Sequence, residues 1–197
     1  MKRLFTHCRL VSVDTLVNEK GGYKVQEDVS IAVENGVIKH IGSNLSQEGY
    51  DVISLEGKLV TPGFIDCHTH IVFAGNRAGE FEQRLNGVPY SQIAKQGGGI
   101  LSTVTATRNA SVDELVSLAL PRAKALMADG ITTIEIKSGY GLTLEDEIKI
   151  LRAAKKLADA LPLTVSTTLL AAHALLRNTK TVAMITSRWY VTPLFPK

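Results

Sequence analysis

The sequence predicts an α/β protein in which a small β-rich N-terminal domain precedes part of a TIM-type (β/α) barrel. Short hydrophobic strands separated by turn residues fill positions 1–60. After residue 60, strands alternate with amphipathic helices, a pattern typical of a parallel sheet with right-handed crossovers. The first strand of that second part, at 64–70, ends in two histidines one residue apart. Polar side chains at the end of a barrel strand indicate a site for chemistry.

The N-terminal domain is expected to span residues 1–60 as a small antiparallel, β-sandwich-like domain. Strands at 29–34 and 37–41 flank Asn35-Gly36, a dipeptide that strongly favours a two-residue hairpin turn. Further strands are expected at 9–13 and within 51–60. A sheet of this size is barely stable alone, so we expect it to pack beside a larger domain.

The second domain is predicted to contain the N-terminal part of the barrel, at 61–174. Ser111 and Glu114 form a capping-box pattern that opens a helix, and Gly130 is a residue that commonly ends one. Thr143 with Asp146 opens a second helix in the same way. Three strands are expected, at 64–70, 131–137 and 163–170.

The length of the chain predicts that the barrel is incomplete. A closed eight-stranded barrel needs about 250 residues, and only residues 61–197 are left for it. Residues 175–197 are atypical, since they contain no Gly, Asp or Glu and hold the only tryptophan, Trp189. We therefore expect this tail to be an out-of-frame reading caused by a frameshift.

Composition argues against nucleic-acid and membrane partners. The net charge of +3 comes from basic residues in the tail, because no acidic residue follows Asp159. No apolar run reaches the roughly 20 residues that cross a bilayer, and no secretory signal is evident, so a cytoplasmic location is expected. Cys8 and Cys67 lie far apart and are expected to be reduced, buried thiols.

His68 and His70 are the strongest functional signal in the sequence. Alternate side chains of a strand share a face, so both imidazoles could coordinate one metal ion. The competing interpretation is a pair of hydrogen-bonded histidines at a strand edge, because short motifs often match by chance.

Gly97-Gly98-Gly99 invites comparison with a phosphate loop, but no Gly-Lys-Ser/Thr follows. A turn between two helices is the better interpretation.

The motifs resemble the amidohydrolase superfamily and, more closely, its imidazolonepropionase family. The resemblance to the superfamily rests on the β-rich region followed by the segment 60–70. The closer match rests on blocks that keep the order and approximate spacing of that family, at 73–77, 80–82, 97–104, 135–141 and 171–174. The match extends over residues 1–174.

The resemblance implies roles for individual residues. His68 and His70 would be the first two ligands of a single zinc or iron ion, and Arg77 would bind the propionate of the substrate. Tyr140 and His173 would contact the substrate, with His173 as a catalytic group. The family also uses a third histidine and an aspartate as metal ligands, which come from later strands. No histidine follows His173 in this sequence.

The implied activity is hydrolysis of the cyclic amide of 4-imidazolone-5-propanoate to N-formimidoyl-L-glutamate in histidine degradation, with a homodimer as the expected full-length assembly. Two alternatives stay open. The chain could be a non-catalytic fragment that lacks half of the metal site, or a related hydrolase acting on another heterocycle. Lys137 could be a carbamylated metal bridge as in other amidohydrolases, but an ion pair with Glu135 on the same strand face is the expected role.

Overall fold

The structure is a computed structural model that describes residues 1–12, 24–171 and 173. The chain divides into two compact units, Met1–Pro62 and Gly63–Lys197, and each is described here by itself. The division falls two residues after the domain boundary that we expected at residue 60. The tail at 175–197, with its expected frameshift, lies outside the described residues.

The first unit contains one sheet of five strands in its described part. The strands are β1 (Lys2–Ser12), β2 (Lys24–Glu34), β3 (Val37–Gly42), β4 (Asp51–Ser54) and β5 (Leu59–Val60). Their order in the sheet is β3-β2-β1-β4, and β5 also pairs with β1. A small apolar cluster on the sheet includes Cys8, Leu10, Val29 and Ile31.

The hairpin predicted at Asn35-Gly36 is confirmed. The two residues join β2 to β3 and have φ angles of 52° and 80°. Positive φ at both central positions defines the turn whose twist matches the flanking strands, and asparagine followed by glycine adopts it at low cost.

The expectation of a purely antiparallel sheet is wrong for β4 and β5. Strands β1, β2 and β3 pair antiparallel, but β4 and β5 both run parallel to β1. Leu4 pairs with Val52, and Leu10 pairs with Val60. Alternating hydrophobicity predicts that a segment is a strand, but it carries no information on the direction of its neighbour, which depends on how the connection crosses the sheet.

The second unit follows the predicted alternation of strands and helices. Its elements are β6 (Phe64–Thr69), α1 (Ala78–Leu85), α2 (Tyr90–Lys95), α3 (Ile100–Asn109), α4 (Val112–Ala128), β7 (Ile131–Lys137), α5 (Leu144–Ala160) and β8 (Thr164–Thr168). Each of the three predicted strands is present within two residues of its expected bounds. None of the helices in the described part is long and apolar enough to cross a membrane.

Strands β6, β7 and β8 form a parallel sheet in that order, and α4 and α5 pack together on it. Ile134 and Ile136 of β7 are fully buried, and they belong to one apolar cluster with Leu115 of α4 and Leu157 of α5. Because the strands are parallel, their carboxyl ends lie at one edge of the sheet, which is where side chains for chemistry gather in such folds.

The predicted helix caps are confirmed on both long helices. Ser111 Oγ accepts a hydrogen bond from the Glu114 main-chain N–H at 3.2 Å, and the Glu114 carboxylate accepts one from the Ser111 N–H at 2.7 Å. On α5, Thr143 Oγ1 accepts from the Asp146 main-chain N–H. These caps satisfy amide groups that the first helical turn cannot pair internally.

Replacing Ser111 with alanine is expected to lower the free energy of unfolding by about 1 kcal/mol, because the helix loses one half of its capping box. Urea denaturation of the two proteins measures the difference. Ser117→Ala is the matched control, since Ser117 is exposed in the middle of the same helix and should leave stability almost unchanged. Equal effects of the two substitutions would show that the cap contributes nothing specific.

The expectation of two buried thiols holds for Cys8 only. Cys8 is fully buried, but Cys67 is exposed on β6. Ile65, on the same strand face, has 69% of its surface exposed. Within the described residues β6 is an edge strand, and no described helix covers this part of its outer face. Cys67 therefore does not serve as the packing residue that the sequence indicated.

Candidate metal and substrate site

His68 and His70 lie together at the carboxyl end of β6. Their ring centroids are 5.6 Å apart, as expected for alternate residues on one strand face. Thr69 points the opposite way and is buried, and its Oγ1 donates to the main-chain oxygen of Glu135 at 2.7 Å. This bond from β6 to β7 helps to fix the orientation of the two histidines.

His70 is the central ring of the site. Its ring is stacked on that of His173 with centroids 4.6 Å apart. Burial lowers the pKa of His70, and the neighbouring charges of His173, His68 and Lys137 lower it further, while the main chain of Ser138 partly offsets the shift. Both ring nitrogens are buried and have no hydrogen-bond partner among the described residues. Burial thus favours the uncharged form of the His70 imidazole.

This state of His70 fits a metal ligand. Metal ions in proteins bind the neutral imidazole through a nitrogen lone pair, and a buried polar atom without any partner is otherwise costly. His68 supplies a second imidazole on the same face. No group of three or more His, Cys, Asp or Glu side chains that could hold a metal ion occurs in the part of the chain that the structure describes. The predicted ligand pair of His68 and His70 is therefore not completed by a third such side chain within the described residues.

Tyr140 and His173 are both next to His70. Tyr140 lies in the loop after β7, and its ring centroid is 5.5 Å from that of His70 and 5.8 Å from that of His173. Gly139 has a φ of +132°, and a Cβ added there would lie 2.8 Å from Cβ of His173. Glycine is therefore required for His173 to come this close. The structure thus brings together four of the five predicted site residues.

Arg77 is the predicted site residue that the structure does not link to the others. It is exposed and precedes the first residue of α1. In the described part of the chain, no hydrogen bond or ion pair joins its guanidinium to the histidines. Its role in substrate binding remains a prediction.

Arg122 supports the site, and sequence reasoning missed it. Its Nη1 donates to the main-chain oxygens of Ile71 and Phe73, each at 2.8 Å, and its guanidinium lies 3.7 Å from the centre of the Phe73 ring. Burial lowers the pKa of Arg122. Phe73 in turn contacts the ring of Tyr140 at 5.8 Å. The detectable signal was a charged residue seven positions after Leu115, on the buried stripe of α4.

The predicted ion pair of Lys137 with Glu135 is confirmed. Lys137 Nζ lies 2.5 Å from Glu135 Oε1, and Thr168 Oγ1 of β8 donates to the same oxygen. The ammonium of Lys137 and then the bond from Thr168 lower the pKa of the Glu135 carboxyl. The ammonium group of Lys137 is thus paired with a carboxylate on its own strand.

The glycine block at 97–99 forms the predicted turn between two helices. It joins α2 to α3, and Gly99 has a φ of +77°. The main-chain N–H of Gly99 donates to Glu80 Oε2 at 3.0 Å. A protein carboxylate occupies this amide, which agrees with a structural turn and not with a phosphate loop.

Solved structures show which fold the chain shares. An amidohydrolase superposes with a TM-score of 0.55 at 17% identity, over 86% of this chain and 32% of that one. N-isopropylammelide isopropylaminohydrolase from Burkholderia multivorans gives 0.55 at 18% identity, over 93% and 41%. A variant of atrazine chlorohydrolase from Arthrobacter aurescens, complexed with zinc and atraton, gives 0.54 at 18% identity, over 84% and 35%. The chain therefore has a mixed α/β fold shared with amidohydrolases.

Curated relatives show a much higher identity to the chain than the solved structures do. The imidazolonepropionase of Aliivibrio salmonicida is 58% identical over 89% of this chain, and that of Aliivibrio fischeri is 56% identical over 88%. The chain is homologous to the N-terminal part of imidazolonepropionases, and the resemblance predicted from the sequence is confirmed. It spans about 44% of the length of these relatives. No protein-family model matches the chain.

Proposed function

We propose that this chain provides the N-terminal part of an imidazolonepropionase, which hydrolyses the cyclic amide of 4-imidazolone-5-propanoate to N-formimidoyl-L-glutamate. The observation that carries the proposal is the cluster of His68, His70, Tyr140 and His173 at the carboxyl end of a parallel sheet, in a chain 58% identical to a named imidazolonepropionase. Enzymes with parallel α/β sheets commonly use this edge for catalysis.

The proposal also includes the complete fold, the cellular location, the assembly and the cofactor of the whole protein. The parallel sheet β6-β7-β8 would be the first part of a closed (β/α)8 barrel, and the mixed sheet of the first unit would be part of a β-sandwich-like domain. The whole protein would be a cytoplasmic enzyme of histidine degradation that acts on a small-molecule substrate and forms a homodimer. One zinc or iron ion would be its cofactor.

The residues of the cluster have complementary tasks in this reaction. A metal ion held by His68 and His70 would supply Lewis acidity and a water of lowered pKa. Tyr140 and His173 flank His70 and can donate hydrogen bonds that orient the imidazolone ring and stabilise negative charge on its carbonyl oxygen. Arg77 would bind the propionate carboxylate through its planar pair of N–H groups.

A second candidate is that the 197-residue chain by itself is a non-catalytic fragment. The supporting observation is that the described residues contain the clustered imidazoles of His68, His70 and His173 but no group of three or more side chains placed to hold a metal ion. Loss of ligands usually weakens metal binding strongly. The other alternative, a hydrolase for a different heterocycle, has less support, because a triazine hydrolase with a similar fold shares only 18% identity with this chain.

A chimera tests both candidates. Residues 1–173 of this chain replace the matching part of the Aliivibrio salmonicida relative, and hydrolysis of 4-imidazolone-5-propanoate is followed by its absorbance. We expect the chimera to hydrolyse this substrate and the 197-residue chain alone to show no activity. A folded chimera that prefers another heterocycle, while the relative itself is active, would contradict the proposal. Hydrolysis of the substrate by the 197-residue chain alone would exclude the second candidate, a non-catalytic fragment.

A further inference from the structure

The loop that carries Tyr140 is held by a carboxylate that has no access to solvent. Glu147 lies near the beginning of α5 and is fully buried. Its Oε1 accepts hydrogen bonds from the main-chain N–H groups of Gly141 at 2.9 Å and Leu142 at 2.7 Å. Its Oε2 has no partner among the described residues. Burying a carboxylate costs free energy. The two hydrogen bonds to the loop amides offset part of that cost and tie the loop to α5.

The backbone of this loop needs to be held in place. Leu142 has a φ of +56°, in the left-handed region that residues with a side chain rarely adopt. A Cβ added at Gly141 would lie 2.6 Å from the main-chain nitrogen of Glu147. The loop therefore lies directly against the start of α5. Its backbone conformation is unfavourable by itself, so contacts from other elements are needed to maintain it.

A second side chain holds the same residue from another element. Arg108 of α3 donates from Nε to the main-chain oxygen of Gly141 at 2.6 Å, and it pairs with Asp146 of α5 at 3.6 Å. Gly141 is thus bound at its N–H by Glu147 and at its carbonyl by Arg108. Tyr140 is the preceding residue, so two helices determine where its main chain lies.

We infer that Glu147 is a positioning residue that fixes the ring of Tyr140 against His70 by binding the amides of Gly141 and Leu142. Arg108 completes this clamp from the opposite side of Gly141. The kinetic part of the inference rests on the proposed function, in which Tyr140 contacts the substrate. The clamp on the loop itself stands on the hydrogen bonds and the burial described above.

Hydrogen exchange tests the clamp without reference to activity. In the full 197-residue chain, Glu147→Ala is expected to accelerate exchange of the Gly141 and Leu142 amides by about tenfold or more, because both lose their acceptor. Glu147→Gln keeps a carbonyl oxygen at the same place and should restore protection. Glu145→Ala is the matched control, since Glu145 is exposed in the first turn of the same helix and its loss removes the same charge.

Kinetics of the chimera test whether the clamp acts through Tyr140. Glu147→Ala is expected to lower kcat/KM by about 10-fold to 100-fold, the usual cost of a displaced catalytic contact. In a chimera that already carries Tyr140→Phe, the same change should cost much less, because coupled residues are not additive. Glu145→Ala should leave both chimeras unchanged.

The outcomes separate the inference from the proposed function. Unaltered exchange in Glu147→Ala, or equal losses of kcat/KM with and without the Tyr140 hydroxyl, would overturn the inference. If the amides lose protection but the chimera hydrolyses no imidazolone, the clamp stands and the proposed function fails. Should Glu147→Ala not fold, Arg108→Met removes the donor to the Gly141 carbonyl and is expected to change exchange and kinetics in the same direction.

Discussion

Replacing His70 with alanine in the chimera is expected to abolish metal binding and hydrolysis together. Burial lowers the pKa of His70, and its two ring nitrogens have no hydrogen-bond partner in the described residues, which is compatible with the proposed metal coordination. Substitution of groups that merely orient a metal ligand costs about 10-fold to 100-fold in affinity or activity, so loss of a ligand should cost more. Metal content per chain and kcat/KM provide the two measurements.

The control for this prediction is His40→Ala. His40 is an exposed histidine on β3 in the other unit, so its loss removes an imidazole without touching the cluster. His68→Ala should behave like His70→Ala, since the two rings share a strand face. If the His70→Ala chimera keeps its metal and its activity, the two histidines are not metal ligands. They would then be a hydrogen-bonded pair at a strand edge.

Replacing Arg77 with methionine is expected to raise KM for imidazolone propanoate by about 10-fold to 100-fold with little change in kcat. Hydrogen bonds to a charged group contribute about 1.5–3 kcal/mol, and each 1.36 kcal/mol is a factor of ten. The propionate lies away from the bond that is cleaved, so its contacts should be equal in ground state and transition state. Initial rates over a range of substrate concentrations separate the two parameters.

Two further variants make the test of Arg77 specific. Arg84→Met removes an exposed arginine from the last turn of α1, the helix that follows Arg77, and should not alter KM. Arg77→Lys keeps the charge but loses the planar fork, so an intermediate KM is expected. If Arg77→Met leaves KM unchanged, the carboxylate is bound elsewhere and the proposed assignment of Arg77 is incorrect.

Features that depend on a few neighbouring residues were predictable from the sequence. The turn at Asn35-Gly36 and the cap at Ser111 are set by local backbone geometry and short hydrogen bonds. The shared face of His68 and His70 follows from the two-residue period of a strand. These signals also predicted the order of strands and helices in the second unit.

Features that depend on distant partners were not predictable in the same way. The parallel pairing of β4 with β1 requires knowledge of the path between them. Arg122 binds a main-chain oxygen 51 residues away along the sequence. Glu147 binds amides only six and five residues before it, but its partners are also main-chain groups, which carry no residue-specific pattern. Both were hidden among helical residues whose charges are usually solvated.

The exposed thiol of Cys67 illustrates a different limit. A strand with apolar residues on its outer face predicts burial, but burial requires another element to cover that face. The described residues place β6 at the edge of the sheet, and Ile65 and Cys67 remain exposed there. The sequence pattern predicts the strand but not whether another layer covers it.

The most direct test of the account is the anomalous scattering of a bound metal in a crystal of the chimera. We expect one zinc or iron peak at about 2.0–2.1 Å from an imidazole nitrogen of both His68 and His70. The rings of Tyr140 and His173 should lie beside it, around the space for the substrate. A peak bound without these two histidines, or hydrolysis by a chimera that holds no metal there, would contradict the assignment of this site.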